Sequence, residues 1–317
     1  MTGSLKQSEG AYLAVYLFSF FNILNLSIAV SGLVAHQSSR QIYMITFTQI
    51  QESAAYLRAQ GIEAPQVGII LGTGLGNLAT HIEVEKEILY QDIPHFPEAT
   101  VEFHAGKLIY GTLSGKKVLA MKGRFHYYEG YNMQQITLPV RVMKLLGIQA
   151  LLISNAAGAV NLSMKKGDLM LLDDHINLLP DNPLRGANIE EMGPRFPDMS
   201  APYHALLNQK LLEIAQKEAL PLHKGVYAAM IGPNLETRAE YRFLQIIKAD
   251  AVGMSTVPEV IVANHCGLPC AAVSVLTDEC DPEHLKAIDL AEIIAVAAQA
   301  EQKLSLLFMK LLADWPL

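Results

Sequence analysis

Residues 48–60 place Ile50, Ala54, Leu57 and Arg58 at helical spacing and stop at Gly61, which predicts an amphipathic helix. The run Val67-Gly68-Ile69-Ile70-Leu71 is short and apolar throughout, the pattern of a strand buried on both faces, and it ends in a glycine-rich turn. Residues 107–113 and 116–122 read as a hairpin with Ser114-Gly115 at its turn. The pattern then predicts a helix over 134–146 closed by Gly147, a buried strand over 150–154 and another over 169–172. Residues 180–200 carry Pro180, Pro183, Pro194 and Pro197 and predict a long loop; loops of that length inside a domain are usually functional. A helix at 203–218, a strand at 224–231, a helix at 236–248, a short strand at 250–253, a helix at 257–266, a strand at 270–276 and a last helix over about 288–313 complete the series.

Strands alternate with helices throughout, so the expected fold class is α/β: a single domain over residues 44–317 with a mixed, largely parallel central sheet flanked by helices. The chain has 317 residues, 51% hydrophobic and 17% charged, enough for a sizeable core. No internal repeat or linker divides it after residue 44.

The N-terminus breaks the pattern. Residues 11–39 contain no charge and residues 11–34 are strongly apolar, as in a signal peptide or membrane anchor. Against that stand a single basic residue, Lys6, offset by Glu9, and the polar Asn22, Asn25, Ser27 and Ser31 within the run. Met44 stands just before Thr46-Phe47-Thr48-Gln49, where a helix can begin. The preferred reading is that residues 1–43 are an apolar extension from an upstream start, outside the fold. It implies a cytoplasmic protein, with membrane association only if residues 11–34 are a real anchor.

The net charge of −7 argues against a general nucleic-acid binder, which needs a basic surface. The three cysteines, Cys266, Cys270 and Cys280, are too few for a disulfide framework. With His265 and His284 nearby they invite a metal reading, but the spacing is not that of a paired ligand motif, and buried free thiols are the better reading.

Five segments carry candidate chemistry. Gly72-Thr73-Gly74-Leu75-Gly76 follows a buried strand, where backbone amides and a following helix can meet an anion. Asn77 stands where a dinucleotide fingerprint needs glycine, and no Lys follows as a phosphate-loop NTPase requires. Gly123-Arg124-Phe125-His126-Tyr127-Tyr128-Glu129-Gly130 packs a guanidinium, an imidazole, phenols and a carboxylate after a strand. Ser154-Asn155-Ala156-Ala157-Gly158 puts small residues at a strand's carboxyl end, where α/β ligands bind. Glu236, in Gly232-Pro233-Asn234-Leu235-Glu236-Thr237, either favours a helix dipole or accepts from ring N–H groups. Ser255, in Gly253-Met254-Ser255-Thr256-Val257-Pro258, reads on its own as a helix cap.

Together these segments, with the stretches GRFHYYEGY, SNAAGAVN, DHINLLPDNPLRG, GPNLETRAEY and VGMSTVPEVIVA, resemble the trimeric purine nucleoside phosphorylases, in order, over about residues 47–312. The resemblance implies phosphorolysis of purine nucleosides, inosine and guanosine and their deoxy forms favoured, to free base and (deoxy)ribose 1-phosphate, in purine salvage. It implies phosphate bound by Thr73, His104, Arg124, His126, the Ala156 amide and Ser255. It implies Tyr128 and Met254 at the ribose and Glu236 at the purine, with His126, Glu236 and Asp278 as the catalytic set. His175 resembles a structural histidine. The family is homotrimeric, with residues 180–200 reaching a neighbour. Neither metal nor organic cofactor is implied, since inorganic phosphate is a co-substrate.

Three positions depart from the family pattern. Asp278 stands where the inosine/guanosine enzymes usually carry asparagine. A carboxylate accepts from a 6-amino group, a protonated carboxyl serves O6 and N7, and a third reading turns Asp278 away to cap a turn. Leu290, followed by Ile293, replaces a histidine at the ribose 5′ end, which resembles the methylthioadenosine phosphorylases. The alternative activity is therefore on adenosine or 5′-methylthioadenosine. Met192 stands for an aromatic that covers the ribose from the neighbouring subunit. A nucleoside-binding protein without catalysis is the reading from another class; it would need no phosphate site.

Overall fold

The computed structural model describes residues 44–72, 75–98, 106–285, 287 and 289–314. The extension over 1–43, with its candidate anchor over 11–34, lies outside them, as do Thr73 and His104. No helix among the described residues is long and apolar enough to cross a membrane.

Helix α1 (Phe47–Ala59) starts where the pattern placed it. Thr46 caps it, accepting from the Gln49 amide while the Gln49 side chain accepts from the Thr46 amide. Ile50, Ser53, Ala54 and Leu57 are buried, but Arg58 is not on that face and reaches the Leu145 carbonyl instead. Strand β1 (Val67–Leu71) and the hairpin of β3 (Lys107–Leu113) and β4 (Lys116–Lys122) lie within the expected bounds. Between them, β2 (Glu83–Leu89) was not expected. Six of its seven residues are exposed, so no apolar period marks it, and antiparallel pairing with β3 holds it at the sheet edge.

Helix α2 (Met133–Leu146) ends on Gly147 at φ 107°. Strands β5 (Ala150–Ala159), β6 (Leu169–Asn177) and β9 (Cys270–Glu279) run several residues past their apolar cores. Those extensions hold polar and small residues, stabilised by strand pairing rather than by hydrophobic alternation. Helix α3 (Ala205–Lys217), β7 (Leu222–Ala229), α4 (Arg238–Ile246), β8 (Ala251–Gly253), α5 (Val257–His265) and α6 (Leu290–Asp314) occupy the expected stretches.

The strands form one mixed sheet in the order β2-β3-β4-β1-β5-β8-β7-β6-β9, and β9 also pairs with β5. The β5, β8, β7, β6 and β9 portion therefore closes on itself. Five of the nine pairings are parallel. Alternate residues of β1 and β5 feed two cores: Ile70, Leu151 and Ile153 pack on the side of α1, α2 and α5, while Ile69, Leu71 and Leu152 pack on the side of α3 and α6. This fixes the strand ends that carry the site.

Candidate active site

A cavity of about 290 Å³ opens where β1, β4, β5, β8 and β9 end or bulge. Gly72 enters it directly after β1. A Cβ there would lie 2.8 Å from both the Asn155 Cα and the Ser154 carbonyl oxygen, so only glycine allows this approach of β1 to β5. Ala156 is the one residue of β5 that is not fully buried, and it lines the cavity. Ser154–Gly158 lie within β5, not beyond its end as expected, and the β5–β9 register shifts between Ala157 and Gly158.

Arg124 follows β4 and is 1% exposed. Its Nη1 donates to Ser255 Oγ and Thr256 Oγ1, both at 3.0 Å, and its Nη2 donates to the Ser154 carbonyl. Glu259 Oε1, at 3.6 Å from Nη1, offsets the buried charge from the first turn of α5. The acceptors are placed by an unusual backbone. Thr256 has φ 69° and ψ −50°, and the Val257 amide donates to the Ser255 carbonyl at 2.8 Å. That is a γ-turn of the strained positive-φ kind, held by a β-branched residue. Such strain concentrates at functional sites. Ser255 is thus not a plain helix cap: α5 has no side-chain cap bond, and the Ser255 hydroxyl faces Arg124.

His126 donates through Nδ1 to Glu129 Oε1 at 2.9 Å, and the same oxygen accepts the His126 amide at 2.7 Å. The carboxylate can only accept, so the proton sits on Nδ1. The His126 ring stacks on Tyr128 at 4.7 Å between centroids. Burial, reinforced by Glu129, pushes the Tyr128 phenol up to about 12, so it stays neutral.

Two carboxyls, Glu236 and Asp278, line the same cavity. Burial raises the Glu236 pKa and the charge of Asp278 adds to it, while a hydrogen bond from Tyr241 works the other way. The Thr277 hydroxyl donates to Asp278 Oδ1 at 2.8 Å, and the Cys280 thiol donates to Oδ2 at 3.5 Å. Tyr241 also hydrogen-bonds Cys280, whose thiol burial pushes well above its ordinary value. Glu236, Tyr241, Cys280, Asp278 and Thr277 thus form one polar chain. Asp278 faces the cavity and does not turn away to cap a turn.

Tyr128, Met254, Leu290 and Ile293 complete the lining. Gly232, at φ 64°, makes room for Met254: a Cβ on Gly232 would stand 2.2 Å from its Sδ. The structure therefore gathers Arg124, His126, Tyr128, Ala156, Glu236, Met254, Ser255, Asp278 and Leu290 in one cavity. Met192 is not among them. It is 6% exposed and packs in the chain's own core, so it is not a surface cover offered to a neighbour. His175 packs against Tyr203, with ring centroids 5.8 Å apart. The glycine-rich turn is followed only by a five-residue 3-10 helix (Asn77–His81), and the Leu78 amide is turned to Glu301. The expected anion-binding helix end is thereby already occupied. Cys266, Cys270 and Cys280 are free and buried, and no group of metal-ligating side chains lies together among the described residues.

Tyr241, Thr256 and Cys280 join the site although the sequence motifs assign them no role. Cys280 was within reach, because it lies two residues after Asp278 along an extended segment and so shares its face. The γ-turn at Thr256 has no sequence signature, since glycine or asparagine would be the usual choice there.

Residues 66–313 match the phosphorylase superfamily. Purine nucleoside phosphorylase 1 of Bacillus subtilis (strain 168) is 52% identical over 230 residues, covering 73% of this chain and 85% of that protein. Isoform 2 of purine nucleoside phosphorylase from Schistosoma mansoni, solved with cytosine and ribose-1-phosphate, superposes with a TM-score of 0.83 at 43% identity, covering 86% of this chain and 99% of the other. A Schistosoma mansoni purine nucleoside phosphorylase solved with adenosine gives 0.82 at 40% identity, with the same coverage. The expectation raised by the sequence motifs therefore holds: the chain belongs to the phosphorylase superfamily, among the purine nucleoside phosphorylases.

Proposed function

We propose that the chain phosphorolyses inosine, guanosine and their deoxy forms, with Arg124, His126, Ala156 and Ser255 at the phosphate, joined by Thr73 and His104. Tyr128 and Met254 hold the ribose, and Glu236 accepts from N1–H of the base. One observation carries this reading: a guanidinium, an imidazole and a hydroxyl line the same cavity as two carboxyls. Phosphate attacks C1′ as the C1′–N9 bond breaks, and the bond's electron pair leaves on the purine, which takes a proton at N7. The protein's part is positioning and electrostatics, with the phosphate dianion stabilising the ribosyl cation. This chemistry requires neither metal nor organic cofactor.

A second reading, adenosine or 5′-methylthioadenosine, is favoured by Asp278. Its two oxygens already take donors from Thr277 and Cys280, which suits a carboxylate that accepts from a 6-amino group. The apolar Leu290 and Ile293 suit a ribose without its 5′ hydroxyl. We place the protein in the cytoplasm as a homotrimer in which residues 180–200 reach the neighbouring subunit, and we assign residues 44–317 as the catalytic domain, with 1–43 dispensable.

The experiment is release of free base from inosine, guanosine, adenosine and 5′-methylthioadenosine, each with and without phosphate, on the full chain and on protein starting at Met44. Phosphate-dependent cleavage of inosine and guanosine by both proteins is the expected result. Cleavage confined to the adenine nucleosides selects the second reading. Absence of phosphate-dependent turnover of any of the four overturns both.

A further inference from the structure

Glu301 is the one acidic residue in the middle of α6 that is fully buried, at 2% exposure, between Ala297 and Leu304 on a mostly apolar face whose other buried polar residue is Ser305. No lysine or arginine among the described residues lies within ion-pair distance of it. Burial raises its pKa, and only the more distant Lys122 and two backbone amides pull the other way. A carboxylate in that position costs folding free energy that an apolar residue would not. Its contact is specific: Oε1 accepts the Leu78 amide at 2.9 Å, across 223 residues of sequence, and the Asn77 amide also bonds to it. The 3-10 helix Asn77–His81 has no side-chain cap of its own at Gly76, so Glu301 serves as its cap from another element.

Gly72 and Leu78 are each held in place. Gly72 lines the cavity, with its amide donating to Ser154 Oγ at 3.3 Å and no room for a Cβ. Leu78 is fastened to Glu301. The helix that carries Glu301 also supplies Leu290 and Ile293 to the same cavity. Eleven residues separate Leu290 from Glu301, three turns and about 16 Å of helix, which returns them to one face.

We infer that Glu301 is a positioning residue for the phosphate side of the active site, fixing the exit of β1 so that Gly72 stands against the phosphate. The inference rests on the phosphorolytic reading above. Glu301 itself does not reach substrate, because its carboxylate is spent on the amides of residues 77 and 78.

Its test is a comparison of E301Q and E301M in the full-length protein. Gln keeps an accepting oxygen; Met keeps length and helix propensity but accepts nothing. E301M is expected to raise the KM for phosphate about tenfold while the nucleoside KM moves less than about threefold. E301Q is expected to stay within about threefold of wild type on both. An unchanged phosphate KM in E301M, or equal loss for both substrates, overturns the inference. Should E301M fail to fold, amide exchange in the wild type decides. Strong protection of the Leu78 amide without phosphate supports the anchor, and rapid exchange overturns it. A wild type with no phosphate-dependent turnover would instead defeat the phosphorolytic reading itself.

Discussion

Cys280 Sγ lies 3.5 Å from Asp278 Oδ2, on the opposite side of the carboxyl from the Thr277 hydroxyl, which holds Oδ1 at 2.8 Å. Donors to both oxygens fix the plane of the carboxyl. Gly158 makes the arrangement possible, since a Cβ there would stand 2.4 Å from the Cys280 sulfur and 3.1 Å from Asp278 Oδ2. Asp278 thus presents the cavity with an acceptor that has no freedom to turn.

Replacing Asp278 with asparagine exchanges that acceptor for a group that both donates and accepts. D278N should move the ratio of kcat/KM for inosine over adenosine upward by one to two orders of magnitude, about the worth of one charged hydrogen bond made or lost. Steady-state kinetics on the two nucleosides measure it. A ratio unchanged within about twofold would mean that Asp278 does not read the base.

Glu236 is needed ionised if it accepts from N1–H, yet burial and Asp278 both raise its pKa. Inosine KM should therefore climb on the acid side at a higher pH than an exposed glutamate would impose, and E236Q should lose about a hundredfold in kcat/KM on inosine. Stability runs the opposite way. A raised folded pKa means the contribution is present below the unfolded value and lost as pH rises through the folded one. Melting curves should show E236Q closing or reversing its gap to wild type as pH rises above the ordinary glutamate value of about 4.3. Parallel curves would remove Glu236 from this role.

The strained γ-turn at Thr256 aims two acceptors at Arg124 and one at Asn155 Nδ2, 2.9 Å away. T256S keeps the oxygen and should retain phosphate affinity. T256A leaves a buried guanidinium proton and a buried amide without that acceptor and should raise the phosphate KM about tenfold. T256G relaxes the backbone and removes the same oxygen; if it matches T256S, neither the strain nor the hydroxyl is needed for phosphate affinity.

The central strands and helices were legible because each one is either a continuous apolar run or a helical stripe, as in β1 and α1. What escaped was set by partners distant in sequence. Strand β2 exists because β3 offers it a ladder, and the ends of β5 and β6 continue through polar residues for the same reason. At the site, residue types revealed Arg124, His126, Glu236 and Asp278. The Met192 expectation failed because an apolar residue in a proline-rich loop gives no sign of which side it will face. Glu301 was invisible for a related reason: its partner is a backbone amide 223 residues away.

The long loop over residues 180–200 is fastened from beneath by Arg141 and His265. Arg141 Nη1 donates to His265 Nδ1 at 3.2 Å, which leaves the ring proton on Nε2 to donate to Asn188 Oδ1 at 3.1 Å. Both side chains are buried, and Gly193 passes so close that a Cβ would sit 1.8 Å from the His265 carbonyl oxygen. Burial and the Arg141 charge depress the His265 pKa, so the clasp needs neutral imidazole. A depressed folded pKa gives stability that is whole above the ordinary histidine value of about 6.5 and lost as pH falls through the folded one. Limited proteolysis within 180–200 should therefore speed up as pH falls below about 6.5 while the sheet stays protected. N188A should cut readily at either pH, because it lacks the acceptor that ties the loop to the ring. Loop cleavage that ignores pH in the wild type would mean the contact at Gly193, not the protonation state of His265, holds this loop.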